Sequence, residues 1–304
     1  VLPHSEQVDF VGAGVCTIDA SQAGTATYGP ASAELSFTVA RADQSFHFTS
    51  SPGPHKVGDS YVPSASVGDA GNAAVFSVDP GSAGVCSLSP DGTTVTYLAV
   101  GVCTIDANED GSADYNPAPQ RSQAVNVDPS RQAIVFTSTP PAGATYGGSY
   151  VLSATGGASG NPVVFTVAPA TAGNCSLAAD GVTVGFIGAG TCTIRANQAG
   201  NANYDAAPQE SQSFTIARAA QTITVSSAPS SGTVGGSGFI VASGGASGNA
   251  LSYKVDTSST ANACKISGST VTYKKSGTCM IDINQAGNGS YTAAPEIQVT
   301  ITVS

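Results

Sequence analysis

Short stretches of alternating apolar and polar residues recur along the chain: LSFTVA from residue 35, AVNVD from 124, SFTIA from 213 and VTITV from 299. A period of two places every second side chain on one face, so each stretch predicts a half-buried β-strand. Between them lie turn-forming residues, including GGASGN at 156 and again at 244. No helix N-terminus follows these glycine runs, so they read as turns with positive φ and not as phosphate-binding loops. No apolar run reaches the length of a membrane span, which predicts no membrane insertion in this segment.

The pattern repeats in register. GAGVCTIDASQAGTATY at 12–28 is matched by VGVCTIDANEDGSADY at 100–115, GAGTCTIRANQAGNANY at 188–204 and SGTCMIDINQAGNGSY at 276–291. Cys16, Cys103, Cys192 and Cys279 are 87, 89 and 87 residues apart, and Tyr28, Tyr115, Tyr204 and Tyr291 each follow twelve residues later. Other landmarks keep step: starting strands (SFHFTSSP, AIVFTSTP, TITVSSAP), glycine-rich segments, and the strands GNAAVFSV, GNPVVFTV and GNALSYKV. So regular a period predicts an array of like domains, with boundaries at 43–130, 131–219 and 220–304 and the C-terminal half of a further repeat at 1–42. Roughly seven short strands per period predict two antiparallel sheets packed as a sandwich. The junctions TVARADQSF, NVDPSRQAI and TIARAAQTI hold no flexible spacer, which predicts an extended, stiff arrangement.

The motif G-x-G-x-C-T-I-x-A-x-x-A-G-x-x-x-Y, carried best by residues 188–204, resembles the immunoglobulin-like repeats found in tandem in very large bacterial surface proteins and adhesins. The resemblance covers nearly the whole chain. It implies an all-β array of tandem Ig-like antiparallel β-sandwiches at a cell surface or in an extracellular filament. Its implied partners are adjacent repeats, further copies of the chain in a fibre, or a host or cell-surface glycan or protein. The core tryptophan of antibody domains is missing, and each Tyr follows its Cys instead of preceding it by two, so the expectation is an Ig-like sandwich without antibody topology.

Seven cysteines divide among the repeats as Cys86 with Cys103, Cys175 with Cys192 and Cys264 with Cys279, leaving Cys16 unpaired. Its counterpart would fall roughly seventeen residues upstream by the same spacing. Hence residues 1–42 are expected to be either truncated or completed by another chain. Neither a C-x-x-C pair nor a histidine near these pairs favours zinc, so the cysteines are read as structural disulfides and the compartment as oxidising. Strands two apart in one sheet lie roughly 9.5 Å from each other, beyond the reach of a disulfide. Either the intervening strand crosses to the other sheet, or one cysteine sits in a loop.

Candidate chemistry is sparse. The net charge of −10, with ten Lys and Arg spread over the chain, argues against nucleic acid. Asp106, Asn108, Asp110, Ser112 and Asp114 have calcium-loop spacing, but Pro117 stands where an EF-hand needs its closing glutamate, so this segment is read as a hairpin loop pinned by its buried tyrosine. His4, His47 and His55 do not recur and adjoin no evident nucleophile, so no catalytic residue, metal or cofactor is expected. Lys254, Lys265, Lys274 and Lys275 make residues 220–304 locally basic, the only hint of a glycan- or protein-binding unit. The leading expectation is a disulfide-stabilised stalk or spacer; the alternatives are a fibre subunit joined by strand complementation and a binding module.

Overall fold

The computed structural model describes residues 7–304; His4 lies outside them. Among the described residues there is no α-helix, only two three-residue 3-10 turns, Pro80–Ser82 and Pro169–Thr171. The chain divides into two compact units: one reaches Gln132 and includes Gly200–Ala206, the other comprises Ala133–Ala199 and Ala207–Ser304.

In the first unit, β1 (Gly14–Gln22) and β2 (Ala31–Val39) form a two-stranded hairpin in which Cys16 faces Phe37 and Ile18 faces Leu35. Residues 43–130 then supply β3 (His55–Lys56), β4 (Ser60–Tyr61), β5 (Val75–Val78), β6 (Cys86–Leu88), β7 (Val95–Tyr97), β8 (Gly101–Asn108) and β9 (Arg121–Asp128). They make one sheet in the order β3-β9-β8-β5 and a second in the order β4-β7-β6. Only β3 runs parallel to its neighbour. Alternation along β8 explains the core: Cys103, Ile105 and Ala107 are fully buried, while Val102 just before them is exposed. Val57, Val95, Tyr97, Val125 and Val127 close the space between the sheets.

The second unit repeats this plan twice. Residues 131–219 carry β10 (Val135–Phe136), β11 (Ser149–Val151), β12 (Ala154–Thr155), β13 (Val163–Val167), β14 (Cys175–Leu177), β15 (Thr183–Phe186), β16 (Gly190–Gln198) and β17 (Glu210–Ile216). The orders are β13-β16-β17 and β11-β15-β14, with β10 paired to β12. Residues 220–304 carry β18 (Thr224–Ser227), β19 (Ser231–Gly232), β20 (Ser237–Phe239), β21 (Val241–Ser243), β22 (Leu251–Val255), β23 (Cys264–Ser267), β24 (Thr270–Tyr273), β25 (Gly277–Gln285) and β26 (Ile297–Val303). Here the orders are β19-β26-β25-β22 and β20-β24-β23, with β18 paired to β21.

Strand order corrects one expectation. With the starting segment counted first, as in the Phe48 to Ala65 bridge, the order is first-second-fifth-fourth facing third-sixth-seventh. That is the ABED and CFG arrangement of a seven-stranded immunoglobulin domain. What departs from antibodies is the side chains, since the disulfide joins the fourth and sixth strands and no tryptophan packs on it. A second correction concerns the crossing. The strand between the cysteines, β7, stays beside β6, and it is the second cysteine strand, β8, that lies in the opposite sheet.

The second glycine of the motif has a defined task. Gly14, Gly101, Gly190 and Gly277 begin their strands at φ of +139°, +151°, +137° and +143°. L-residues seldom adopt that conformation. At Gly277 a Cβ would also fall 2.6 Å from the Thr260 side chain.

Candidate functional site

The recurring sites are the disulfide and the loop that ends in tyrosine. Cys86–Cys103, Cys175–Cys192 and Cys264–Cys279 are each bonded, with Cα atoms 5.8 Å apart, an ordinary disulfide separation. Every one of them ties the two sheets of its repeat through the centre of the core. The chain approaching the second unit's Cys175 is itself pinned, because Thr171 Oγ1 accepts the Thr193 backbone N–H at 3.2 Å. Ser82 does the same for Thr104 at 3.0 Å, and Ser259 for Met280 at 2.9 Å. Cys16 is free and half-buried.

The tyrosine loop is anchored by its backbone, a correction to the reading of a buried ring: Tyr28 is 76% exposed, and Tyr115, Tyr204 and Tyr291 are only half-buried. Each complete loop clamps one linker residue. Ala42 donates to the Asp114 carbonyl at 2.9 Å while its own carbonyl accepts from the Asn116 N–H at 2.8 Å. Ser130 makes the same pair with Asn203 and Asp205, and Ala219 with Ser290 and Thr292. The loops hold their shape internally: Asn201 Oδ1 accepts the N–H groups of Asn203 and Tyr204, and Asn288 Oδ1 those of Ser290 and Tyr291. The residue before tyrosine also reaches the G-x-G segment ahead of it, with Asp114 Oδ1 accepting from Ala13 at 2.7 Å and Asn203 Oδ1 from Val100 at 3.0 Å.

Two buried polar positions support the clamp and were not singled out from the sequence. Gln44 and Gln221, two residues beyond each clamped linker position, donate to the tyrosine loop and accept from the glycine-rich loop. Gln221 Nε2 reaches the Ala286 and Thr292 carbonyls at 3.2 and 2.9 Å, and its Oε1 takes the Ser247 N–H at 2.8 Å. Gln44 repeats this with Asp110, Asn116 and Ala70. Gln132 Nε2 donates to Asp205. Their signal was available: a glutamine stands at the same place in all three junctions.

The second position is Gln198 and Gln285, with Glu109 as its counterpart. Gln285 accepts from the Gly245 N–H at 2.7 Å and donates to the carbonyls of Gly245 and Asn249 at 3.3 and 2.8 Å. Gln198 does so with Gly157 and Asn161. Glu109, 1% exposed, offers only acceptors, and both oxygens crowd the single N–H of Gly68. Among the described residues no cation pairs with it. A buried carboxylate left so poorly matched is costly. Glu109→Gln is therefore expected to stabilise residues 43–130 by about 1–2 kcal/mol, read as a higher denaturant midpoint with an unchanged slope.

The remaining candidate groups do not form a recurring site. Asp106 accepts from Ser122 Oγ at 2.6 Å, so the carboxylates at 106 and 114 of the proposed calcium spacing serve separate hydrogen bonds. His47 Nδ1 lies 3.1 Å from Ser66 Oγ, a pairing with no trace in the sequence because nineteen residues separate them. That hydroxyl is engaged by the His47 backbone N–H as well, and among the described residues no carboxylate orients the far ring nitrogen. His55 stacks on Tyr97 with ring centroids 4.8 Å apart. Burial pushes the Tyr97 phenol up to about 12. Hydrogen bonds, first of all from the Thr183 hydroxyl, hold Asp180 in the β14–β15 turn below the usual carboxylate range. Lys254 is on β22 and Lys265 on β23, in different sheets, with Lys274 and Lys275 in the turn after β24; all four are exposed. The glycine-rich loop at 156–161 borders an open cleft of about 430 Å³ lined by Leu152, Asn161, Phe165 and Gln198.

Fold and site together define an immunoglobulin-like β-sandwich repeat with a fourth-to-sixth-strand disulfide and a backbone clamp on its incoming linker. No protein-family model matches the chain, and no curated protein matches it. Among solved structures, domains 1–6 of the surface-layer protein SbsC match at 13% identity over 96% of this chain and 45% of that one, with a TM-score of 0.30. The insect immune protein hemolin matches at 10% identity over 85% of this chain and 76% of that one, with a TM-score of 0.31. Immunoglobulin domains 1–5 of Sidekick-1 match at 9% over 85% and 58%, with a TM-score of 0.28. The chain thus spans less than half of the SbsC structure. Likenesses of this strength say nothing of activity, partner or location.

Proposed function

We propose that the chain is a structural, non-catalytic part of a secreted bacterial surface protein or extracellular filament, in which domains spanning 43–130, 131–219 and 220–304 serve as a stalk or spacer. One observation carries the reading. What recurs in every complete repeat is architectural, namely the disulfide, the linker clamp and the buried polar side chain at the junction, whereas the histidine–serine pairing of His47 and Ser66 occurs once. Disulfides persist where the surroundings are oxidising, which supports an extracellular setting.

Antibodies against the chain should label intact producing cells or their shed filaments without permeabilisation, and alkylation of the native material should find the six paired cysteines blocked. Labelling only after permeabilisation, with those cysteines free, would overturn the reading.

A further inference from the structure

In the tyrosine loops the residue two before the tyrosine is Ala26, Ala113 and Ala202 in three copies and Gly289 in the last. The fold makes no demand for that glycine. Gly289 is not among the glycines of positive φ, and a Cβ on it would meet nothing within 4 Å. What it changes is chemistry, because it follows Asn288 and forms the one Asn-Gly pair in the sequence. Without a Cβ to shield it, the nitrogen after an asparagine is open to the side-chain amide, and both residues are exposed.

The closed joint restrains that amide. Asn288 Oδ1 accepts the N–H groups of Ser290 and Tyr291 at 2.8 and 2.9 Å, and its Nδ2 donates to the Ser247 carbonyl at 3.1 Å. All three bonds depend on the linker. Ala219 holds the Ser290 carbonyl and the Thr292 N–H, each at 2.9 Å. Gln221 donates to the Ala286 and Thr292 carbonyls on either side of Asn288 and accepts from the N–H of Ser247 itself. Withdrawal of residues 219–221 therefore loosens the loop and its Ser247 support together.

We propose that Asn288–Gly289 is a modification site that acts as a one-way latch on the joint at Ala219: protected while the linker is clamped, and converted to isoaspartate once the linker has been pulled out. In the open loop the Gly289 backbone nitrogen attacks Asn288 Cγ. The new N–Cγ bond forms as Cγ–Nδ2 breaks, ammonia leaves with the Gly289 amide proton, and a cyclic imide remains. Water opens the imide at either carbonyl to give aspartate or isoaspartate. Isoaspartate carries an extra methylene in the main chain between residues 288 and 289, so the Ser290 carbonyl and the Thr292 N–H no longer present themselves together to Ala219. An opening that would otherwise reverse becomes permanent. The inference does not depend on the surface role.

The test incubates the full chain in mildly alkaline buffer, folded or unfolded in urea, and follows residue 288 by peptide mass mapping and isoaspartyl methyl transfer. In the folded chain Asn288 should convert at least about tenfold more slowly than in urea, the protection that a few hydrogen bonds confer against local opening. Gln221→Ala and Gly287→Ala, which weaken the clamp from its two sides, should bring the folded rate toward the rate in urea. Gly289→Ala should leave the closed joint intact and slow conversion in urea to that of Asn201, which is followed by Ala202 and serves as the internal reference. Parent chain converted in urea, separated as the isoaspartyl form and refolded, should show fast hydrogen exchange at the Ala219 and Thr292 amides. Equal rates for folded and unfolded parent would overturn the proposal, as would recovery of slow exchange at both amides in the isoaspartyl form.

Discussion

Replacing Cys175 and Cys192 together by alanine is expected to lower the stability of residues 131–219 by about 3 kcal/mol, the value that loop-closure entropy assigns to a loop of this length. The cysteines are 17 residues apart, and both are buried between the sheets. Folded chains of this size have a total stability of about 5–15 kcal/mol, so the loss removes a large share of it. The short β14 strand should feel it most. Apart from the disulfide it is held by one neighbouring strand, β15, over three residue pairs, Cys175 to Leu177 against Phe186 to Val184. Denaturant titration of the variant should show a midpoint well below that of the parent chain. Limited proteolysis should cut first near β14. An unchanged midpoint would mean that packing alone fixes the two sheets.

Gly287→Ala should cost about 3 kcal/mol in residues 220–304, at the upper end of what overpacking a fitted site exacts. A Cβ there would fall 2.3 Å from the Tyr291 carbonyl oxygen and 2.6 Å from the Thr292 carbonyl carbon. These atoms are backbone, so the loop must open, and with it go the two hydrogen bonds to Ala219. Gly289→Ala, two residues away, meets nothing within 4 Å and should shift stability by less than about 0.5 kcal/mol. Hydrogen exchange at Ala219 and Thr292 separates the cases, since only the first variant should release both amides. Gly24, Gly111 and Gly200 face the same carbonyl in their own loops, which explains why this glycine stands in all four copies.

The strands were legible wherever one face is buried and the other wet, as in β8, β16 and β25, because alternation is then imposed on every residue. Cysteine pairing was legible from spacing. Sheet membership was not, since β7 and β8 are separated by only a few residues and nothing local marks a change of sheet. Nor was the parallel pairing of β3 with β9, or of β19 with β26, because two-residue strands are too short to show a period. The missing tryptophan and the tyrosines that follow their cysteines pointed away from antibody topology, yet these are features of single side chains and leave strand order free. Tyr115 and its counterparts drew attention as large residues in a conserved rhythm within the chain, but the clamp works through carbonyls and amides that every residue possesses. The glutamines were overlooked for the opposite reason: polar residues are normally read as surface, and only the structure shows Gln221 and Gln285 buried with their hydrogen bonds met.

The clamp also sets an order of events during synthesis. The linker residue that enters a repeat is held by a loop close to that repeat's far end, with Gln44 and its carbonyl partner at Asn116 separated by 72 residues. A nascent chain emerges amino end first, so the joint to the preceding repeat cannot lock until most of the new one has been made. Each joint is thus a late event of long sequence separation, and slow on that account. Until it locks, the strands already delivered remain loosely tethered, open to pairing with an identical stretch on a neighbouring chain.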